Sequence, residues 1–295
     1  MMNATMPNYG KRRSNSGRNS RRHCYISADF CRSIVGECLC TFFFMIIVCG
    51  VDLNWNNSDD VVSEQMPDTL RIAITLGFAV TTLIQCFEHI SGAHMNPAVT
   101  MSMMIMQHTG VAKGLLYMVA QTLGASLAVV LMHGFLPISI QGSMGFPVWS
   151  DKVSPHQALG VESTLTFILV FTILASQDPR RHLAGLVALP VGVAFLTNTL
   201  WAYEFTGASM NPVRTLPSAV LISNNDKTWL YIFEIYLLGP FLGSLAASII
   251  YKYIFDPNTG SSIRSGNSTF FDCDDHMVDM VGLQTISSHA NESSA

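Results

Sequence analysis

The sequence predicts an all-α membrane protein built as an inverted repeat, with six transmembrane helices and two short re-entrant half-helices. Three observations predict it. Of the 295 residues, 49% are hydrophobic and only 12% charged, where soluble domains carry roughly a quarter charged residues. The apolar residues are gathered into blocks long enough to cross a bilayer. The stretch from Ser91 to Thr100 returns as Thr206 to Thr215, with Asn-Pro at the same place in each copy.

Residues 1–27 are polar and basic, with six Lys and Arg between Lys11 and Arg22, and hold no apolar segment of a signal peptide. They read as a disordered cytoplasmic arm. The first crossing is expected over Ser33 to Val51 and the second over Leu70 to Phe87, joined by the acidic stretch Asp52 to Thr69. Glu88, His89, Ser91, Gly92 and His94 then interrupt the apolar run. Met95 to Met106 is about a dozen residues, too short to span as a helix, and reads as a half-helix. The third crossing is Val111 to Met132, followed by a Gly/Pro-rich loop to Pro155. Gln157 to Ser176 and Leu183 to Ala202 are the fourth and fifth, joined by the turn Asp178-Pro179-Arg180-Arg181. Met210 to Ile222 is a second half-helix and Thr228 to Phe255 the sixth crossing. Residues 256–295 are rich in Ser and Asp and read as a disordered cytoplasmic tail.

The basic arm and the Arg180-Arg181 turn place both termini in the cytoplasm and the Asp52 to Thr69 loop outside. Asn56, in the sequon Asn56-Asn57-Ser58, is then open to glycosylation. The seven cysteines show no paired metal spacing, so they read as small apolar side chains in helices, with neither metal nor cofactor expected. The remaining basic residues are dispersed, and no nucleic-acid partner is expected.

Three matches recur in order. Glu37-x-x-x-Thr41-Phe42 matches Glu162-x-x-x-Thr166-Phe167. Gly92-Ala93-x-Met95-Asn96-Pro97 matches Gly207-Ala208-x-Met210-Asn211-Pro212, and Leu123-Gly124-Ala125-Ser126 matches Leu242-Gly243-Ser244. The chain is therefore a duplicated unit, about 33–133 and 157–255. Three crossings plus one short segment per unit turn the second copy upside down, so the half-helices enter from opposite faces. With Asn capping and Pro opening each half-helix, the two N-termini meet near mid-membrane. Their dipoles repel a cation there, while an uncharged solute meets no such barrier and can bond to the Asn96 and Asn211 amides.

Glu37 and Glu162 are carboxylates inside crossings, and their equivalent places suggest that they hold the irregular loop backbones; a proton-relay pair is the rival. Arg214 is a second intramembrane charge, read as a donor at a constriction rather than a snorkelling side chain. His94 has no second ligand at metal spacing and reads as a pore-facing hydrogen-bonding residue. Gly124 and Gly243 permit close helix packing.

From about Ala28 to Phe255 these residues resemble the major intrinsic proteins, the aquaporins and glyceroporins, through both Asn-Pro motifs, the paired Glu positions, the Arg after the second motif and the Asp178 to Arg181 turn. The resemblance implies an aquaporin-like hourglass channel domain over 28–255, four pores in a homotetramer held in membrane lipid, and passive flow of water and small neutral solutes without protons or ions. The motif residues it carries over are Asn96, Pro97, Ala98, Asn211, Pro212 and Val213, with Val213 standing where the family usually has Ala. It also implies a selectivity ring. Leu76, twenty residues before Asn96, stands where water-selective members usually carry Phe. Thr199, twelve before Asn211, stands where they usually carry His; Ala208 and Arg214 complete the ring. Loss of the His widens the ring, and Thr215 replaces the Asp that glyceroporins carry after the Arg. This combination resembles the insect branch called entomoglyceroporins. The expectation is a plasma-membrane channel for water, glycerol, urea and related polyols. A strictly water-selective channel and a junctional or scaffolding membrane protein are the alternatives; nothing pairs a nucleophile with a base, so no enzyme is expected.

Overall fold

A computed structural model describes residues 27–53, 68–178, 180, 187–222 and 226–256. Asn56, the terminal arm and nearly all of the tail lie outside the described residues, which contain helices and turns but no strand.

Helix α1 runs Ala28–Val51, starting before Ser33 because the Ser27 hydroxyl accepts the Phe30 N–H at 3.1 Å and caps the helix. Helix α2, Thr69–Ser91, is capped by Asp68 and continues through Glu88 and His89; it ends where Gly92 turns to φ +93°. Of the polar interruption expected after Phe87, Glu88, His89 and Ser91 are therefore still helix, and the break falls at Gly92, ahead of His94. The half-helix α3 is Pro97–Ile105, followed by α4, Val111–Phe135, a 3₁₀ turn at Ile138–Ile140, and α5, Pro155–Ser176, which opens on a Ser154/Gln157 capping box. Helix α6 is described over Ala188–Thr206, and Leu183, where the fifth crossing is expected to start, lies outside the described residues; the second half-helix α7 is Pro212–Ile222.

The sixth crossing is one helical rod of four pieces: α8 Asp226–Ile232, a π-helical stretch Phe233–Leu238, α9 Gly239–Ile250 and a second π stretch Tyr251–Phe255. Pro240 has no N–H for the Tyr236 carbonyl, and widening the ladder to i→i+5 is the usual response to such a gap.

Five described helical segments are long and apolar enough to cross a membrane: α1, α2, α4, α5 and Trp229–Phe255. The fifth crossing, α6, has 19 residues, about 28 Å at 1.5 Å per residue. Part of its polarity is turned inward: Asn198 donates to the Leu165 carbonyl at 2.9 Å, and Thr199 is fully buried. Outward faces carry Leu39, Phe43, Phe78, Leu123 and Val130, as lipid contact requires.

The duplication is legible in the packing. A Cβ on Gly124 would lie 2.1 Å from the Cys38 carbonyl oxygen, and a Cβ on Gly243 2.1 Å from the Ser163 carbonyl oxygen. Cys38 and Ser163 each follow their repeat's glutamate, so α1 meets α4 as α5 meets α9. Gly124→Ala or Gly243→Ala must push two backbones apart, and we expect a loss of about 1–3 kcal/mol. Thermal unfolding in detergent checks this; an unchanged midpoint for both variants would show that the contacts yield freely.

At one end of the barrel the Arg180 guanidinium bonds Asp178 and reaches the Phe255 carbonyl at 2.9 Å, while the Tyr251 hydroxyl donates to Asp178 at 2.7 Å. Arg180 thereby holds the Asp178 carboxyl well below the usual carboxylate range. Lys252 Nζ caps the end of α3 through the Ile105 carbonyl at 2.9 Å.

Candidate functional site

Two five-residue loops, Gly92 to Asn96 and Gly207 to Asn211, carry the site. Each takes the same path: Gly92, Ala93 and Met95 have φ of +93°, +49° and +53°, and Gly207, Ala208 and Met210 have +72°, +47° and +55°. Left-handed alanine and methionine cost about 1–3 kcal/mol each and persist only where surroundings enforce them. The enforcement is visible. Glu37 Oε1 accepts the His94 N–H at 2.9 Å and the Ser91 hydroxyl at 2.6 Å, and its Oε2 accepts the Met95 N–H at 2.9 Å and Gln121 Nε2 at 2.8 Å. Glu162 Oε1 accepts the Ser209 N–H at 2.9 Å and the Thr206 hydroxyl at 2.7 Å, with the Met210 N–H on Oε2 at 2.8 Å. Both carboxylates are fully buried and bound by converging donors, as a buried charge requires.

The asparagines use both ends of their amides. Asn96 Oδ1 accepts the Ala98 N–H at 2.9 Å and Asn211 Oδ1 the Val213 N–H at 3.1 Å, capping α3 and α7, whose first residues Pro97 and Pro212 have no N–H to satisfy. The amide nitrogens cross over: Asn96 Nδ2 donates to the Met210 carbonyl at 2.7 Å and Asn211 Nδ2 to the Met95 carbonyl at 2.8 Å. Each asparagine thus fastens its own half-helix to the opposite loop. One N–H per amide remains, because each Nδ2 carries two. The two helix N-termini therefore face each other at one point of the structure.

Beside that point lies a cavity lined by both asparagines, Ala93, His94 and Met95 and otherwise by apolar side chains, among them Phe44, Val80, Leu169 and Phe195. It adjoins a second cavity reached by Glu88 and Gln177. His94 borders both; its Nδ1 lies 3.1 Å from the Thr100 hydroxyl, and its ring packs edge-on against Tyr117. On α2, Val80, Ile84 and Glu88 follow the cavities at four-residue spacing, and Phe195 and Val191 on α6, with Val187 just before it, do so in reverse order. Leu76 and Thr199 continue these rows one turn further, and both are fully buried. The neighbours of Leu76 point elsewhere: Gly77 packs on α6 at Gly192 and Leu196, and Phe78 is 61% exposed.

Arg214, in the first turn of α7, donates through Nη1 to the Ala208 carbonyl at 2.5 Å, and its buried Nε has no partner among the described residues. The Thr199 hydroxyl turns back to the Phe195 carbonyl at 2.9 Å. The loop after α4 closes over this end of the barrel. Ser143 bonds Asp52, the Ser218 hydroxyl donates to the Met144 carbonyl at 2.7 Å, and Pro147 abuts Gly207. Burial raises the Asp52 carboxyl, opposed by its bonds from Ser143 and Gly145 and by the Arg214 charge.

The sequence reading passed over several residues here. Ser91 and Thr206 hold equivalent places five residues before each asparagine, and their carbonyls accept the hydroxyls of Tyr117 and Tyr236 at 2.7 and 2.8 Å. Each tyrosine stands seven residues before Gly124 or Gly243, a spacing that the repeat itself could have revealed. Gln121 has no such mate, because Pro240 stands in its place. Phe44 and Phe195 were missed because apolar residues in an apolar crossing carry no signal of facing a lumen.

The family model described as "Major intrinsic protein" matches residues 25–251. Aquaporin-4 of Mus musculus is 35% identical over 230 residues, 78% of this chain and 69% of that protein. Aquaporin-2 of Homo sapiens is 35% identical over 232 residues, 78% of this chain and 81% of that protein. Among solved structures, an aquaglyceroporin from Plasmodium falciparum superposes with a TM-score of 0.66 at 25% identity, covering 79% of this chain and 99% of that one. The helical membrane fold, the crossed asparagines and these likenesses lead to one assignment: the chain belongs to the major intrinsic protein family, whose members are transmembrane channels and not enzymes.

Proposed function

We propose that the chain is a passive channel for water and for small uncharged solutes such as glycerol, urea and related polyols, and that it excludes protons and other ions. The observation that carries the reading is the exchange of amide bonds between Asn96 and Asn211, which aims two helix N-termini at one point. Each contributes roughly half a positive charge, so a cation is opposed where it has shed most of its water. A neutral solute with hydroxyl or carbonyl oxygens meets the remaining amide N–H groups and the Arg214 Nε instead.

Solute breadth rests on the ring proposed from Leu76, Thr199, Ala208 and Arg214. Thr199 supplies neither the bulk nor the second donor of a histidine, so the ring should admit more than water. The reading further includes a homotetramer in the plasma membrane with both termini cytoplasmic, supported by the apolar outer faces and the basic residues of the terminal arm and of Arg180 and Arg181. Light-scattering of proteoliposomes holding the full chain tests the reading: we expect water flow together with glycerol and urea flow, and no proton leak above that of empty vesicles. Water flow alone would leave a strictly water-selective channel, and no flow at all would leave a scaffolding role.

A further inference from the structure

Phe195 breaks the symmetry of the duplication at the level of the paired asparagines. It stands sixteen residues before Asn211, and the equivalent place before Asn96 is Val80. A second break accompanies it: seven residues after Glu37 the chain has Phe44, while seven after Glu162 it has Leu169. All four line the cavity that Asn96 and Asn211 border. The two large substitutions come together, since the Phe44 and Phe195 rings meet edge to face with centroids 5.9 Å apart and an interplanar angle of 84°. Edge-to-face contact with both rings nearly fully buried fixes them against swinging aside.

We propose that Phe195, held by Phe44, is a specificity-determining wall of the channel, one turn inside the outer ring. This rests on the channel reading above and adds to it where solute size is decided. Thr199 and Phe195 are one helical turn apart and joined by the Thr199 hydroxyl bond to the Phe195 carbonyl. A wide outer ring is therefore followed at once by a rigid aromatic face opposite the asparagine amides. A slender polyol can pass with its carbons along the rings and its hydroxyls toward Asn96 and Asn211. A broader or branched one must displace a packed phenyl ring. The pore then selects solutes by cross-section at the asparagines, and the ring selects by bonding at Arg214.

The experiment is a solute series on proteoliposomes of the full chain: water, glycerol, erythritol and xylitol, with wild type, Phe195→Val and Phe195→Leu. Removing the ring deletes a steric exclusion, so erythritol flux in Phe195→Val should rise roughly tenfold while water flux changes less than about twofold. Phe195→Leu should fall between. Equal increases for water and every polyol would mean general loosening and overturn the proposal, as would unchanged erythritol flux in a variant that still conducts water. If Phe195→Val yields no conducting protein, Phe195→Leu is judged by the same criterion. The broader reading fails separately: a wild type passing water but no glycerol removes the solute claim. In that case admission of glycerol by Phe195→Val upholds the wall and its continued exclusion overturns it.

Discussion

Glu162→Gln will lower the stability of the protein by about 3 kcal/mol, of the order expected when a charged hydrogen-bond acceptor is lost and a buried donor is stranded. The glutamate serves three donors with two oxygens: Ser209 N–H and Thr206 hydroxyl on one, Met210 N–H on the other. A glutamine keeps the shape but has one oxygen, so its amide nitrogen must face an N–H or a hydroxyl. The loop it holds contains Ala208 and Met210 at positive φ, and the other bonds to it, from Arg214 to the Ala208 carbonyl and from Asn96 to the Met210 carbonyl, do not serve the Ser209 and Met210 N–H groups that Glu162 accepts. Once Met210 moves, Asn96 loses the carbonyl that positions its amide. We therefore expect a lower unfolding midpoint in detergent and a fall in water permeability of roughly tenfold or more, since tenfold corresponds to about 1.4 kcal/mol. Glu37→Gln should behave alike, with four donors to satisfy instead of three. A variant with wild-type midpoint and flux would return these carboxylates to some other task, the proton relay among them.

Thr199→His will reduce glycerol and urea flux roughly tenfold while reducing water flux less than about threefold, because excluding a bulky solute from a narrow ring costs more than narrowing a water file. The side chain at 199 is fully buried, on the row that continues Val191 and Phe195 by one turn. Its hydroxyl is donated to the Phe195 carbonyl. An imidazole there adds volume and a ring N–H to the proposed constriction. Stopped-flow swelling with each solute reads the ratio directly. Equal losses of water and solute would show that position 199 does not border the constriction, and the ring would then have to be drawn elsewhere.

The duplication was legible because it is written in polar and special residues that an apolar crossing does not otherwise need. Glu37 and Glu162, the two Asn-Pro pairs and Gly124 with Gly243 all announce themselves against Leu, Val and Phe. Helix ends were less legible. Glu88 and His89 looked like an interruption, yet a helix whose end reaches the membrane surface can carry polar residues on its wet side, and it stops at Gly92 for a backbone reason. The π stretch before Pro240 likewise follows from hydrogen-bond accounting that composition does not expose.

By itself, the sequence determined the membrane class, the two inverted repeats, the half-helices and the polar residues that open them, since burying a charge or stopping a crossing short demands particular residue types at particular places. Only the tertiary structure decided that each asparagine amide is given to the opposite loop, that Tyr117 and Tyr236 hold Ser91 and Thr206, and that Phe44 and Phe195 meet beside the asparagines. The physical reason is that these contacts join residues from different helices and from both halves of the chain. Which face of an apolar helix meets lipid, another helix or a lumen is set by packing, and packing leaves no periodic mark on a segment that is hydrophobic all round.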